Sequence, residues 1–237
     1  MTMAAREAPG TRVGTAPVRR RRRPSRRDEI LRTAAHVILE RGFELISLVD
    51  VARASKVSKA GLYYHFRSKQ ELLAAIISYA QDLHEEEVGK VLADCTEGDE
   101  EELRRLIHSH AMMMTQEDDA AFAILAVDEM RSLLPADRAR VARRKRAYLD
   151  VLRERLERLA AAGKLREVDI TTATHTLAGM VLWLPKWYRQ PGRLSAEEMA
   201  DGITELAMHA VLQDSSCRSR SRAHVGSDHR APSPRKR

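Results

Sequence analysis

A short stretch, residues 59–65, combines a lysine, two tyrosines and a histidine with two of the smallest residues, Ala60 and Gly61. Lysine, tyrosine and histidine side chains donate hydrogen bonds to phosphate oxygens and to base edges. Small residues near the start of a helix let its backbone approach a DNA groove closely. The chemistry that this stretch predicts is therefore recognition of a polyanion, with no covalent bond made or broken.

These side chains have to stand on a helix whose opposite face is buried. Leu62 and Phe66 are four residues apart, so they share one face of a helix that starts at Ser58. The other side chains then lie on its exposed rim. An ordinary helical hairpin that buries its aromatic residues is the alternative. Because Tyr63 and Tyr64 are adjacent, one helix cannot bury both of them, and this argues against that alternative.

A second short helix precedes this one. Ser47 and Asp50 have the spacing of a capping box, and Lys56-Val57 forms the turn between the two helices. Two short helices joined by a tight turn predict a helix-turn-helix within residues 26–70. Helical periodicity continues beyond it, and no segment alternates like a strand. The sequence predicts an all-α fold of nine helices, which begin with one over 26–41 and the helix-turn-helix pair and continue with a long helix from Ser68 and with helices over 99–116, 118–134, 136–162, 169–188 and 195–213.

Charge is distributed unevenly along the chain. The net charge is +7, yet residues 1–25 contribute +6 and residues 213–237 contribute +5. Residues 26–70 carry +4, which leaves residues 71–212 at −8. A basic amino-terminal module on an acidic body is typical of a nucleic-acid binder with a second, separate task. We predict disordered basic tails at 1–25 and 214–237, and a ligand-binding and dimerisation domain at 71–213.

Several classes of protein are disfavoured. Cys95 and Cys217 are too few for a disulfide framework and lack zinc-site spacing, so no metal or cofactor is expected. No apolar run has the ~20 residues of a membrane span, and a cytoplasmic location with no membrane partner is predicted. His108 and His110 lie two residues apart on a helix and therefore point to nearly opposite sides. A helical enzyme is the rival hypothesis, and it lacks a recognisable catalytic motif.

The stretch from Ser47 to Leu73, with its Leu-Tyr-x-His-Phe core at 62–66, resembles the DNA-binding signature of TetR-family regulators. The resemblance implies contacts of Lys59, Ala60, Gly61 and Tyr64 with base edges. It implies phosphate contacts for a second group, namely Ser47, Tyr63, His65 and Lys69. Ser58, at the start of the helix, is added to the predicted DNA contacts.

One position departs from that family. Lys56 stands where the family usually has glycine, at a turn residue whose φ is often positive. A lysine there costs about 1 kcal/mol relative to glycine. Either the turn is altered or Lys56 is recruited as an additional DNA contact.

Residues 128–212 resemble a subgroup of the same family that controls fatty-acid or steroid catabolism and senses acyl-coenzyme A thioesters. The similarity lies in Glu129–Pro135, in Arg144 and Tyr148, and in segments between Gly179 and Ser195. It implies a small-molecule effector in the middle helices, with flexible apolar side chains around it. The predicted ligand contacts are Met112, Met113, Phe122, Leu125, Met130, Arg144 and Trp183. A plain hydrophobic core is the alternative for each methionine. The basic run at 138–146 could hold the phosphates of coenzyme A, and a solvated helix face is the alternative for most of its residues.

The last two helices resemble the dimer interface of the family. Residues 178–184 are apolar all round, and Met199, Ile203, Leu206 and Ala210 form a stripe on the final helix. The sequence thus predicts a homodimeric regulator that binds a palindromic double-stranded operator and is released by an effector. A sensor of a hydrophobic drug or free acid that controls an efflux gene, and a ligand-independent architectural DNA binder, are the alternatives.

Overall fold

A computed structural model describes residues 25–213. Apart from Ser25, the predicted basic tails lie outside the described residues, and Arg19–Arg23 and Cys217 lie outside them too. Within 25–213 there are nine helices of seven residues or more, a one-turn helix and no strand, which confirms the predicted all-α class. The helices are α1 (Arg26–Arg41), α2 (Leu48–Ala54), α3 (Lys59–His65), α4 (Lys69–Asp94), α5 (Asp99–Thr115), α6 (Glu117–Asp128), α7 (Pro135–Ala161), α8 (Ile170–Leu182), the one-turn α9 (Leu184–Trp187) and α10 (Ala196–Val211).

Local capping fixes where several helices begin. Capping boxes are present at Ser47 and at Ser195, as their sequence spacing predicts, and a third is present at Ser25. Ser68 accepts from the Glu71 amide, but the Glu71 carboxylate accepts from the Arg67 amide and not from that of Ser68. The spacing of Ser68 and Glu71 also predicts a capping box, and this box is therefore only half formed.

Two predicted helices are shorter than the periodicity indicates. The helix expected over 118–134 ends at Asp128, and a 3-10 turn follows at Met130–Ser132. The helix expected over 169–188 ends at Leu182, and α9 resumes at Leu184 with Pro185 in its first turn. Proline lacks an amide hydrogen and clashes with the preceding turn, so a helix breaks before it. None of the helices between residues 25 and 213 is both long and apolar enough to cross a membrane.

The buried side chains form two clusters. The N-terminal cluster joins α1, α2, α3 and the first half of α4, and it also takes in Ala121, Phe122 and Leu125 of α6 together with Val141 of α7. The C-terminal cluster joins α5, α7, α8, α9 and α10. Helix α6 thus packs into the same core as the helix-turn-helix, although 50 residues separate it from that segment.

Polar contacts also join α1 to α6. The Arg32 guanidinium donates to the Asp118 carboxylate, and His36 Nε2 lies 2.9 Å from the other oxygen of that carboxylate. Burial favours the neutral acid, but the hydrogen bonds from His36 and Arg32 outweigh it and lower the pKa of Asp118. These contacts therefore join the start of α6 to α1, which packs against the helix-turn-helix.

Candidate nucleic-acid interface and ligand cavity

Helices α2 and α3 hold the predicted DNA-contacting stretch through a buried inner face. Val51, Leu62 and Phe66 are almost completely buried, as the four-residue spacing of Leu62 and Phe66 predicts. Ser58 caps α3 by accepting from the Gly61 amide at 3.0 Å. A Cβ added at Gly61 would lie 3.1 Å from the Ser58 hydroxyl oxygen, so a side chain there would crowd the cap. The absence of a side chain at Gly61 therefore leaves room for the Ser58 cap at the start of α3.

The outer face of α3 exposes aromatic and cationic side chains. Tyr64 is 87% exposed and Tyr63 is 43% exposed. The Lys59 ammonium lies 5.8 Å from the centre of the Tyr63 ring, and the rings of Tyr64 and His65 meet edge to face at 5.3 Å. Exposed, mutually contacting aromatic and basic groups on one helix provide the stacking, cationic and hydrogen-bonding functions that DNA contacts need. The individual DNA contacts remain predictions.

The turn between α2 and α3 keeps the strained conformation. Lys56 has a φ of 53°, in the left-handed region that favours glycine. Arg26 of α1 donates to the carbonyl oxygens of Ser55 at 3.0 Å and Lys56 at 3.3 Å. The turn is thus held by a side chain from outside the motif, and a lysine is accommodated without altering it.

We expect Lys56→Gly to raise the free energy of unfolding by about 1 kcal/mol, because glycine adopts a positive φ without steric cost. The change would raise the melting temperature by roughly 2–4 °C in a domain of this size. Urea unfolding followed by circular dichroism measures the change in the free energy of unfolding. Lys145→Gly is the matched control, since Lys145 is exposed in the interior of α7 and glycine there should destabilise by about 1 kcal/mol. A loss of stability in both variants would contradict the strained turn.

Lys69 is engaged inside the chain. Its ammonium donates to the carbonyl oxygens of Phe43 and Glu44 and to the Glu44 carboxylate at 3.1–3.2 Å, and it lies 4.8 Å from the centre of the Phe43 ring. These contacts join the start of α4 to the loop after α1. A phosphate contact by Lys69 stays a prediction, and the ammonium would have to give up some of these bonds to make it.

A cavity of about 490 Å³ lies between α4, α5, α6, α7 and α8. Four predicted ligand contacts line it: Met113, Phe122, Met130 and Arg144. Its volume and mostly apolar lining are those of a small-molecule site. Further side chains complete much of the wall, among them Gln81, His84, His110, Met114, Lys145, Arg146, Tyr148 and Leu149.

Three other predicted ligand contacts do not line this cavity. Met112 lies on a different face of α5 and packs against the C-terminal cluster. Leu125 is buried within the N-terminal cluster. Trp183 is 62% exposed, because it continues the outward face of α8 that includes Thr176 and Gly179. The helical pattern correctly marks these residues as apolar but does not show which face meets the cavity.

Arg144 lines the cavity but is already paired. Its guanidinium donates to Glu85 at 2.5 Å, to Asp82 at 2.7 Å and to two oxygens of Ser78 at 3.3 Å. The hydrogen bonds to Glu85 and Asp82 raise the pKa of Arg144. This side chain therefore braces α7 against α4. Lys145 and Arg146 also line the cavity and are exposed, and within residues 25–213 neither forms an ion pair.

A polar cluster stands in the otherwise apolar wall. His110 Nδ1 lies 2.9 Å from the Tyr148 hydroxyl oxygen, and the ring of His84 lies 4.3 Å from that of His110 and 4.4 Å from that of Tyr148, centre to centre. Burial lowers the pKa of His84 to about 4 and lowers that of His110 as well, while it raises the pKa of Tyr148. All three groups are therefore neutral near pH 7.

His108 points away from this cluster, as the two-residue spacing predicts. Its Nε2 lies 3.2 Å from Asp201 and 3.8 Å from Glu197, both on α10. The three side chains are close enough together to hold a metal ion, but both carboxylates are exposed. When protonated, His108 forms ion pairs that join α5 to α10.

The outer faces of α8 and α10 carry exposed apolar groups. Leu206 is 63% exposed and Trp183 is 62% exposed, beside the small residues Gly179 and Gly202. Of the stripe predicted on α10, Met199 is buried and Ile203 half-buried in the C-terminal cluster, whereas Leu206 and Ala210 face outward. Large apolar side chains next to small ones suit close packing against another helix surface.

Two family models match most of the described chain. The model for bacterial regulatory proteins of the tetR family matches residues 30–76, and that for a tetracyclin repressor-like C-terminal domain matches residues 96–211. The chain belongs to the TetR family. Its helix-turn-helix corresponds to the first of the two matched regions.

Several TetR-family proteins are similar over most of their length. The HTH-type transcriptional repressor KstR2 of Mycolicibacterium smegmatis is 23% identical over 199 residues, covering 80% of this chain and 92% of that repressor. The crystal structure of AibR in complex with isovaleryl coenzyme A and operator DNA is 36% identical with a TM-score of 0.69, covering 77% of this chain and 97% of AibR. The structure of KstR2 of Mycobacterium tuberculosis shares the fold, with a TM-score of 0.72 at 20% identity. The match covers 80% of this chain and 96% of that KstR2 chain.

For this TetR-family chain, sequence reasoning missed the polar side chains of the cavity. The buried stripe of α4 runs through Leu73, Ile77 and Ala80 in steps of three and four, and His84 is its next member. His110 follows Leu106 and Ile107 of α5 in the same way. A histidine at a core position of an amphipathic helix is the signal that could have identified them.

Proposed function

We propose that this TetR-family protein is a repressor that binds a palindromic operator as a homodimer and leaves it when an acyl-coenzyme A thioester enters the cavity. The observation that carries the proposal is the position of Phe122, which both lines the cavity and packs in the cluster that holds the helix-turn-helix. A ligand in contact with Phe122 therefore acts on the core of the DNA-binding helices. The proposal assigns the chain no catalytic role.

The lining suits an acyl group with a charged carrier. Met113, Met114 and Leu149 provide an apolar surface for the acyl group. Val141, Lys145 and Tyr148 follow one stripe of α7 along the cavity, and Lys145 is the exposed member of that stripe. Lys145 and its neighbour Arg146 are placed to bind phosphates, in contrast to Arg144. AibR, which is 36% identical, was crystallised with isovaleryl coenzyme A, and this supports the same ligand class here.

A chain of contacts connects the cavity to α1. The rings of Phe122 and Tyr79 meet edge to face at 5.6 Å, and the Arg32 guanidinium lies 5.8 Å from the centre of each ring. Arg32 also binds Asp118 at the start of α6. A ligand shifts a conformational equilibrium only by its difference in affinity for the two states. We propose that displacement of Phe122 by the ligand moves α6 and, through Arg32, the helix-turn-helix.

Release of a fluorescent operator tests the proposal. We expect a thioester to release the operator at far lower concentration than the free acid of the same chain, because the acid lacks the phosphates. The double variant Lys145→Ala/Arg146→Ala should need roughly 10-fold more thioester. A hydrogen bond to a charged group contributes about 1.5–3 kcal/mol, and an exposed one contributes less. Arg143→Ala is the matched control, because Arg143 is on α7 but does not line the cavity.

The other outcomes have definite meanings. Equal release by acid and thioester would indicate a sensor of free acids or apolar drugs. Operator binding that no tested compound reverses would favour the ligand-independent DNA binder. An equal effect of Arg143→Ala and the double variant would remove the phosphate contact at Lys145 and Arg146.

A further inference from the structure

Two polar atoms of the cavity wall lack partners. Gln81 Oε1 and His84 Nε2 are both nearly inaccessible to solvent, and neither forms a hydrogen bond within the described part of the chain. The Gln81 amide nitrogen does have a partner, since it donates to the Val141 carbonyl oxygen at 3.0 Å. A buried polar atom without a partner costs free energy, because its hydrogen bonds to water are lost and not replaced. A ligand that supplies partners for these side chains would recover that free energy.

The two side chains are placed to act together. Gln81 and His84 are three residues apart on α4, so they share one face, and both line the cavity. The bond to Val141 fixes the Gln81 amide with its oxygen as a free acceptor. A neutral imidazole carries one N–H donor. With its proton on Nε2, His84 adds a donor to the Gln81 acceptor, and the pair then presents one of each to whatever enters.

We propose that Gln81 and His84 bind the junction between the acyl group and its carrier. In an acyl-coenzyme A, the thioester carbonyl is an acceptor, and two methylene groups beyond the sulfur lies an amide N–H donor. The His84 N–H would donate to the thioester carbonyl oxygen, and the Gln81 amide oxygen would accept from the carrier amide. This inference rests on the proposed function and specifies which part of the ligand the polar wall recognises.

The charge state of the aromatic groups around His84 supports an uncharged partner at this part of the wall. Burial lowers the pKa of His84 to about 4, although Glu85 and Glu87 nearby act in the opposite direction. His110 and Tyr148, which pack against His84, are neutral as well. A carboxylate at this position would be buried against neutral groups, whereas a thioester carbonyl and an amide lose little by leaving water if each gains a hydrogen bond.

A pair of ligands isolates the carbonyl. An S-acyl coenzyme A and the S-alkyl coenzyme A of equal chain length share the phosphates and the carrier amides, but the thioether lacks the carbonyl oxygen. Isothermal titration calorimetry on the full-length wild-type protein should give roughly 10-fold tighter binding of the thioester, the value of one hydrogen bond. Equal affinity for the two ligands would overturn the proposal without any variant.

Two variants then assign the partners. His84→Phe, which keeps an aromatic ring but no donor, should weaken thioester binding and reduce the thioester-to-thioether ratio to about 1. Gln81→Leu should weaken both ligands by a similar factor, roughly 5-fold, since both carry the amide. Leu182→Met is the control for changes in the cavity wall, because Leu182 lines the cavity without an assigned ligand contact, and it should preserve the 10-fold ratio. A ratio that survives in folded His84→Phe would overturn the assignment.

The outcomes separate this inference from the proposed function. If both coenzyme A derivatives bind and release the operator equally well, the acyl-thioester sensor stands and the role of His84 is wrong. If neither derivative binds the wild-type protein, both proposals are wrong.

Discussion

Replacement of Leu206 by glutamate is expected to leave a folded monomer and to lower operator affinity by at least about 100-fold, because two linked half-site contacts are lost. Leu206 is 63% exposed on α10, so the chain's own core does not need it. The same exposed surface of α8 and α10 includes Trp183, Gly179 and Gly202. A carboxylate buried there without a partner costs several kcal/mol in the dimer and nothing in the monomer.

Sedimentation velocity and gel shift together check this prediction. Leu134→Glu is the matched control, because Leu134 is 54% exposed but precedes α7, away from α8 and α10. The control should remain dimeric and keep its operator affinity. A dimeric Leu206→Glu variant with full affinity would place the interface elsewhere.

Tyr64→Ala is expected to reduce operator affinity by roughly 10- to 100-fold, the range for loss of a side chain that reads base edges. Tyr64 is 87% exposed and is not part of either buried cluster. Its removal should therefore change the free energy of unfolding by less than about 0.5 kcal/mol. Fluorescence anisotropy with operator and with scrambled DNA should show that discrimination falls together with affinity.

Lys69→Ala provides the contrasting result. Its ammonium has three hydrogen-bond acceptors inside the chain, so we expect a loss of stability of about 1 kcal/mol. A phosphate contact predicts, in addition, that the slope of log affinity against log salt becomes shallower by about one, whereas a purely internal role leaves that slope unchanged. Chemical unfolding and a salt titration of this one variant decide between the two roles.

The local parts of the structure follow from the sequence. Ser47 with Asp50, and Ser195 with Glu198, are three residues apart, and the capping hydrogen bonds that they predict are present. The exposure of Tyr63 and Tyr64 follows from the four-residue spacing of Leu62 and Phe66. These features depend on neighbours within one or two helical turns, which periodicity describes well.

The cavity depends on contacts that the sequence does not encode locally. His84, His110 and Tyr148 come from three helices, and no spacing in the sequence relates them. Arg144 was expected to bind a ligand, but its acidic partners Asp82 and Glu85 lie about 60 residues away on α4. Trp183 lies in a segment that is apolar all round, so its pattern could not show which face turns inward.

The double role of Phe122 constrains how this protein could acquire a new effector. A substitution that enlarges the cavity at Phe122 also removes a side chain from the core of the DNA-binding helices. A change in ligand recognition at this position would therefore lower the stability of the N-terminal cluster. Met113, Met114 and Leu149 line the same cavity but belong to the other cluster. Evolutionary drift in effector preference, and the conversion of this chain into a biosensor, should therefore proceed through α5 and α7 while position 122 stays aromatic.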